Sequence, residues 1–357
     1  VTAAATATDA TISFTGNLGK AAVAITGGDG GGNDIFNVDG ATMGTATFTV
    51  AENNTLQGTA VKLDGVTASG DGTATVTALH TTPGADLGSL NTASVTAAFD
   101  GNATFTGTLG KAVVTVGNNF TMTAAASKVV TETINQVGGG NGKLAVTLNA
   151  ATDTNEDLTS INGDAINSVT VADNLTFTGT LHGSVATTVA NGVTLTTTAA
   201  KATGKTINEA DATDATTAIT ALHSTVSANL GSITTNSVTA AATVATDGAV
   251  NFLGTLGKAV VTVTGGDGGG NDIFNVDGAT MNTSSFVVNG NAVLQGTAAK
   301  LAGVAVSGTG TAAVTALHST DDADLSGLTS TTVTAAATAT DATISFTGNL
   351  GKAAVAI

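Results

Sequence analysis

The sequence predicts an all-β chain, a β-solenoid of stacked rungs, and three observations carry that prediction. Apolar and polar residues alternate with a period of two along most of the chain, long stretches recur almost letter for letter, and Gly, Asn and Asp clusters punctuate the alternation. Period-two alternation rich in Thr and Val is the pattern of strands with one face inward. Turn clusters such as "NG", "DG", "GNN" and "ADN" separate the runs at about eight to twelve residues, the spacing of short strands. Taken in order, "ATISFTG" (10–16) places Ile12 and Phe14 on one face and Thr11, Ser13 and Thr15 on the other. "TATFTV" (45–50), "TATVTAL" (73–79), "NATFTG" (102–107) and "NLTFTG" (174–179) repeat the pattern. No stretch carries a convincing helical period; "NEADATDATTAI" (208–219) is the best helix candidate, and a poor one.

The repeats define the organisation. Residues 1–25 return unchanged as 333–357, and "TGGDGGGNDIFNVDGATM" stands at both 26–43 and 264–281. "LQGTAVKLDGV" (56–66) returns as "LQGTAAKLAGV" (294–304), and "TALH" occurs at 77–80, 220–223 and 315–318. "FTGNLGKAAV" (14–23) recurs as "FTGTLGKAVV" (105–114), as "FLGTLGKAVV" (252–261) and at 346–355, with a degenerate "FTGTLHGSVA" at 177–186. The boundaries are modules at 1–94, 95–168, 169–237 and 238–332, with 333–357 opening the next period. This is the pattern of a window from a longer tandem array. Tandem immunoglobulin-like β-sandwiches are the alternative, because the longest modules have the size of such a domain. The unequal module lengths favour the solenoid, in which rungs are added or dropped without breaking a closed core.

Composition narrows the function classes. The 357 residues include 46 Gly, 11 Phe and one Pro, with no Cys, Trp or Tyr. Only 10% are charged, against about 25% in an average globular chain. All ten basic residues are lysines, and the net charge is −16, so no basic surface is available for nucleic acid. The positive mean hydropathy of +0.31 argues against disorder. No thiol exists to act as nucleophile or ligand, and no apolar run reaches the ~20 residues of a membrane helix. The chain begins with Val, with no visible signal peptide, as an excerpt or a processed product would.

Stretches such as "VNGNAVLQGTAAKLAGVAVSGTG" (288–310) and "FDGNATFTGTLGKAVVTV" (99–116) resemble rungs of giant repetitive bacterial surface proteins. These are the β-solenoid adhesins of the haemagglutinin type and S-layer-like proteins. The resemblance covers the whole chain in style and periodicity. It implies an extracellular or cell-surface location, a structural role in a filament, surface layer, adhesive stalk or biofilm matrix, and copies of the same chain or surface glycans as partners. The alternative it leaves open is a calcium- or glycan-binding adhesin module. An enzyme is not expected, since a lyase groove on a solenoid needs Arg and aromatic residues that this chain lacks.

"TGGDGGGNDIFNVDG" further resembles the calcium-binding nonapeptide of RTX proteins, where a Gly-rich turn ending in Asn-Asp precedes a short strand. That resemblance implies calcium as the cofactor. It makes Asp29, Asp34 and Asp39 ligand candidates, with Asp267, Asp272 and Asp277 in the second copy; glycines let carbonyls and carboxylates converge on a hard cation. RTX sites are shared between consecutive repeats, whereas each copy here stands alone, so a Gly-rich turn with solvated acids is the competing reading. The remaining motifs point to structure. "GTLGKA" has neither the spacing nor the Ser/Thr of a phosphate loop and reads as a rung corner with a solvated Lys. His80, His223 and His318 end equivalent "TALH" stretches, which is one structural role used three times. "STDDADL" (319–325) keeps only one acid in its counterpart at 81–87, and Thr spacing is too irregular for an ice-binding face. Finally, neither duplicated end resembles a cap. Ile12, Phe14, Val23 and Ile25 are matched by Ile344, Phe346, Val355 and Ile357, and end-to-end association is the expectation.

Overall fold

The computed structural model describes residues 2–4, 10–27, 33–211, 213–245, 247–266, 272–337 and 345–357. Strands pair in parallel, as in Ile35↔Thr55, Leu56↔Ala74 and Val261↔Phe286. Two parallel neighbours cannot be joined by a tight hairpin; the chain must travel round and return on the same side. Here it returns within one coil, so hydrogen bonds between neighbouring coils join residues such as Asp39 and Thr59, 20 apart, or Gln136 and Asp164, 28 apart. Sandwiches would require antiparallel ladders. The fold is therefore the β-solenoid, and it divides into two compact units, Val1–Thr170 and Val171–Ile357.

In the first unit each coil contributes strands to two stacks. One holds Thr2–Ala4, Ala22–Thr26, Thr47–Val50 and the start of Thr67–Thr77; the other holds Thr11–Ser13, Asp34–Asn37, Asn54–Thr59 and the end of Thr67–Thr77. The second stack then continues through Leu90–Phe99 into Val113–Val116 and Ile134–Gln136. In sequence Val113–Val116 is the counterpart of Ala22–Thr26, so the stack of second strands becomes the stack of first strands. The second unit repeats this exchange. Thr194–Thr198 and Thr216–Thr220 lead through Ser237–Val244 into Val260–Gly265 and Ser285–Asn289. A further exchange leads from Ala292–Thr297 and Thr311–Thr315 through Thr332–Ala336 into Ala354–Ala356, so these exchanges fall where the sequence repeat reopens, at Val95, Val238 and Val333.

Because the ladders are parallel and in register, inward side chains form columns. Ile12, Phe36, Leu56, Ala74 and Val95 are successive partners in the first unit. Val250, Phe274, Leu294, Ala312 and Val333 are their counterparts in the second. Phe14 stacks on Phe36 with ring centroids 6.0 Å apart, and Phe252 on Phe274 at 5.8 Å.

Corners are built from three recurring devices. In the first, an Asx residue accepts the N–H two residues on while the Leu between them points inward. Asn17, Asp86, Asn229, Asp324 and Asn349 bond the N–H of Gly19, Gly88, Gly231, Ser326 and Gly351 at 2.9–3.0 Å. Leu87, Leu230 and Leu325 are fully buried between them. Hydrogen bonds from Ser326 hold the exposed Asp324 carboxyl below its ordinary range. The second device is a single helical turn: Ala60–Leu63, Ala126–Val129, Ala199–Ala202 and Ala298–Leu301. Its first and fourth residues are buried, and a left-handed residue closes it, Gly65, Thr131, Gly204 or Gly303. The third is the "TALH" corner. Its Ala is left-handed (Ala78, Ala221 and Ala316, φ +50°, +54° and +49°), and Leu and His then open a 3₁₀ turn. These histidines lie past the strand end, and the buried Leu offsets the strain of about 1–3 kcal/mol at the Ala.

The helix candidate at 208–219 resolves differently, as strands Ile207–Glu209 and Thr216–Thr220 joined by a bend. The real helical turns are too short to give a periodic signal.

The duplicated ends share corner geometry at Gly19 and Gly351 but differ in pairing. Thr334 pairs Ala354, whereas Thr2 pairs Ala24, which is two residues further along the repeat. A slip of two keeps every side chain on its own face. Among the described residues Thr2–Ala4 has one strand neighbour, so a single ladder sets its register. Val23 and Ile25 are buried because Thr47–Val50 covers them, while Val355 and Ile357 are exposed. Ile344 lies outside the described residues, and Phe346 is half-buried.

The glycine of the "FTG/FLG" repeat has a steric origin. A Cβ at Gly107, Gly254 or Gly348 would collide with the carbonyl oxygen of Ala85, Ala228 or Ala323 in the coil before. Replacing Gly254 by Ala is expected to destabilise the chain by about 2 kcal/mol, the cost of overpacking against rigid backbone. Gly183→Ala, where a Cβ meets open space, stays within about 0.5 kcal/mol of the parent. Thermal unfolding of both variants checks the pair.

Candidate functional site

The strand at the end of the Gly/Asp segment makes equivalent pairings in both near-copies. Asp34–Asn37 pairs Asn54–Thr59 as Asp34↔Asn54 and Phe36↔Leu56, and Asp272–Asn275 pairs Ala292–Thr297 as Asp272↔Ala292 and Phe274↔Leu294. Asp29 and Asp267 lie outside the described residues. The other four candidates separate into two kinds.

Asp39 and Asp277 sit on the outer turn after the strand. Each accepts a backbone N–H from the next coil, Thr59 or Thr297, at 2.6 Å. They are inter-coil ties facing away from the interior. Asp34 and Asp272 point inward beside Phe36 and Phe274 and are 3% and 0% exposed. The structure does not bring Asp34 and Asp39 onto one face of the strand.

Asp34 Oδ1 accepts from the Ala10 N–H at 2.9 Å, but its Oδ2 is buried without a partner. Asn54 on the neighbouring coil donates through Nδ2 to the Glu52 carbonyl at 2.8 Å, and its Oδ1 is likewise buried and unpartnered. Both oxygens flank one face of Gly27, within 3.0 and 3.3 Å of where a Cβ would stand. A cavity of about 10 Å³ lies here, lined by Ile12, Ile25, Asp34 and Asn54. In the second copy Asp272 Oδ2 accepts the Gly266 N–H at 3.0 Å and Oδ1 has no partner, while Asn54 is replaced by Ala292.

A third buried carboxylate shows what a closed account looks like. Asp153, 0% exposed, accepts Ser127 N–H at 2.8 Å through Oδ1, and Asn149 N–H at 2.9 Å and Nδ2 at 3.1 Å through Oδ2. Among the described residues no group of three or more His, Asp or Glu side chains is placed to hold a metal.

The lysines and histidines that sequence motifs drew attention to are engaged in the scaffold. Lys62 and Lys300 donate to the carbonyls of Ala41 and Ala279, one coil back, at 2.6 Å. Lys258 and Lys352 reach Thr234 and Thr329 carbonyls in the same way. Equivalent open grooves of about 370 and 630 Å³ lie beside Met43 and Lys62 and beside Met281 and Lys300. His223 Nδ1 accepts the Thr243 N–H at 3.1 Å, and His80 packs edge-on against Phe99 at 6.2 Å. His182 replaces the corner glycine in the degenerate repeat and rebuilds the turn by accepting Ser184 and Val185 N–H through Nδ1.

Sequence reasoning missed Asn54 and Asp153. Asn54 was signalled only by its difference from Ala292 between near-identical copies, and Asp153 by nothing periodic. Comparison with protein-family models, with curated proteins and with solved structures finds no match in any of the three. No helix among the described residues is long and apolar enough to cross a membrane.

Two outcomes follow. Asp153→Ala is expected to cost about 3 kcal/mol, from buried donors losing a charged acceptor, and Asp272→Ala less than half of that, by chemical denaturation. Burial, then the nearby Lys205, holds the His182 imidazole below its usual range, so the neutral form is favoured in the fold. Its contribution is therefore complete above the unfolded-state value near pH ~6.5 and declines as pH falls from there towards the lower folded value. His182→Gln should flatten that part of the stability profile as pH falls below about 7.

Proposed function

We propose that this chain is a structural repeat segment of a very long bacterial extracellular or cell-surface protein, forming a filament, surface layer or adhesive stalk and associating with copies of itself through β-stacking. The observation that carries this reading is that repeated sequence is spent on repeated inter-coil contacts. The Asp39–Thr59 and Asp277–Thr297 ties, the Lys62–Ala41 and Lys300–Ala279 ties and the Phe stacks recur with the same partners. Selection for a substrate site would individualise one copy; selection for a regular rod keeps copies alike. The net charge of −16 keeps lateral contacts soluble or dependent on cations.

Electron microscopy and light scattering test the reading together. The parent chain is expected to form end-to-end assemblies that grow with concentration. A parent chain that stays monomeric at high concentration overturns the self-association.

A further inference from the structure

We propose that the outward face of the seven-stranded sheet in the second unit docks side by side against a second copy of this chain. The proposal rests on the self-associating role above and names a surface for it. The sheet runs from Leu175–Thr176 through Ser237–Val244 to Val306–Ser307, all within one compact unit. Not one residue in its strands is charged. Thr196, Ala218, Thr239, Val260 and Ser285 are successive partners on its outer side, so methyl and hydroxyl groups make up that column. Val260 is 38% exposed, and the hydroxyls of Thr243 and Thr264 lie 3.3 Å apart.

Charge selects the occupant. Two chains of net charge −16 repel one another, and like charges set face to face across an interface are strongly disfavoured. Such chains approach closely only where neither presents a charge, and this face meets that condition. It is also complementary to itself. A hydroxyl is donor and acceptor at once, so a surface of Thr and Ser satisfies its own copy, as a twofold interface between identical chains requires. The other sheet within this unit carries Asn251, Asn275 and Gln295 as successive outward partners. Those amides hold water more strongly than hydroxyl and methyl groups and cost more to bury.

The face is large enough. Strands about 4.8 Å apart, seven of them, with about five residues each at about 3.3 Å, span roughly 500 Å². Two such faces bury roughly 1,000 Å², the lower bound of a specific interface, so the pairing is weak and concentration-dependent.

Sedimentation velocity of the 357-residue chain over a range of concentrations tests this, with circular dichroism to verify folding. The parent is expected to pair, and to pair more tightly as salt is raised, because screening weakens the repulsion. Thr239→Lys sets a charge at the middle of the face and should weaken pairing by about tenfold or more. Thr311→Lys makes the same change of charge on the outward side of the amide-bearing sheet, beside Val293, and should leave pairing unaltered. The chain has no cysteine of its own, so Thr239→Cys gives a second readout. A short bis-maleimide should join copies of that variant and not copies of Thr311→Cys. An associating parent that is indifferent to Thr239→Lys, with no cross-link at Thr239→Cys, overturns this face and leaves the self-association standing. A parent that stays monomeric overturns both.

Discussion

The parallel, in-register ladder between coils is the constraint on which everything else rests. Strands about 4.8 Å apart set each inward side chain directly against the residue one coil away, so a column tolerates only members that fit their neighbours. Phe36 over Leu56 over Ala74 is such a column, and Phe274 over Leu294 over Ala312 copies it. The same closeness forbids a side chain at Gly107 and Gly254, where the preceding coil's carbonyl occupies the space. A composition of Ala, Val, Leu and Gly with few aromatics follows from this spacing.

With the backbone fixing the distance between coils, polar side chains at the corners have a backbone group within reach one coil away. The structure uses them there. Asp39, Asp64, Asp164 and Asp214 accept N–H groups of an adjacent coil at 2.6–2.8 Å, and Lys62 and Lys300 donate to carbonyls. Part of the acidic excess in this chain thus serves to cap donors at corners. Asp34 and Asp272 differ because they face inward, where each finds one backbone donor, Ala10 or Gly266, and keeps a second oxygen that no protein group satisfies.

The exchange of strand stacks at Val95 and Val238 explains how a repeat of nearly a hundred residues fits coils of little more than twenty. Each repeat advances by several coils and then re-enters one stack over. Equivalent grooves lie beside Met43 in the first unit and beside Met281 in the second. A scaffold of this kind presents a surface feature once in each copy of the repeat.

The sequence by itself determined the all-β class, the solenoid through its unequal modules, and the near-identity of modules 1–94 and 238–332. Strand alternation such as Thr11–Ile12–Ser13–Phe14 is a local property, and identical sequence in a repeating ladder meets near-identical surroundings. It also exposed the Gly/Asp segment as unusual. Tertiary structure decided the rest. Whether strands pair in parallel or antiparallel depends on where the chain returns, which alternation does not encode. The single turns at Ala60–Leu63 and Ala298–Leu301 are shorter than any helical period. Separation of Asp34 from Asp39, and the meeting of Asp34 with Asn54 across a coil, depend on strand face and inter-coil register. Those are fixed only when the coils stack, because only then does a residue's neighbour twenty positions away become its nearest chemical contact.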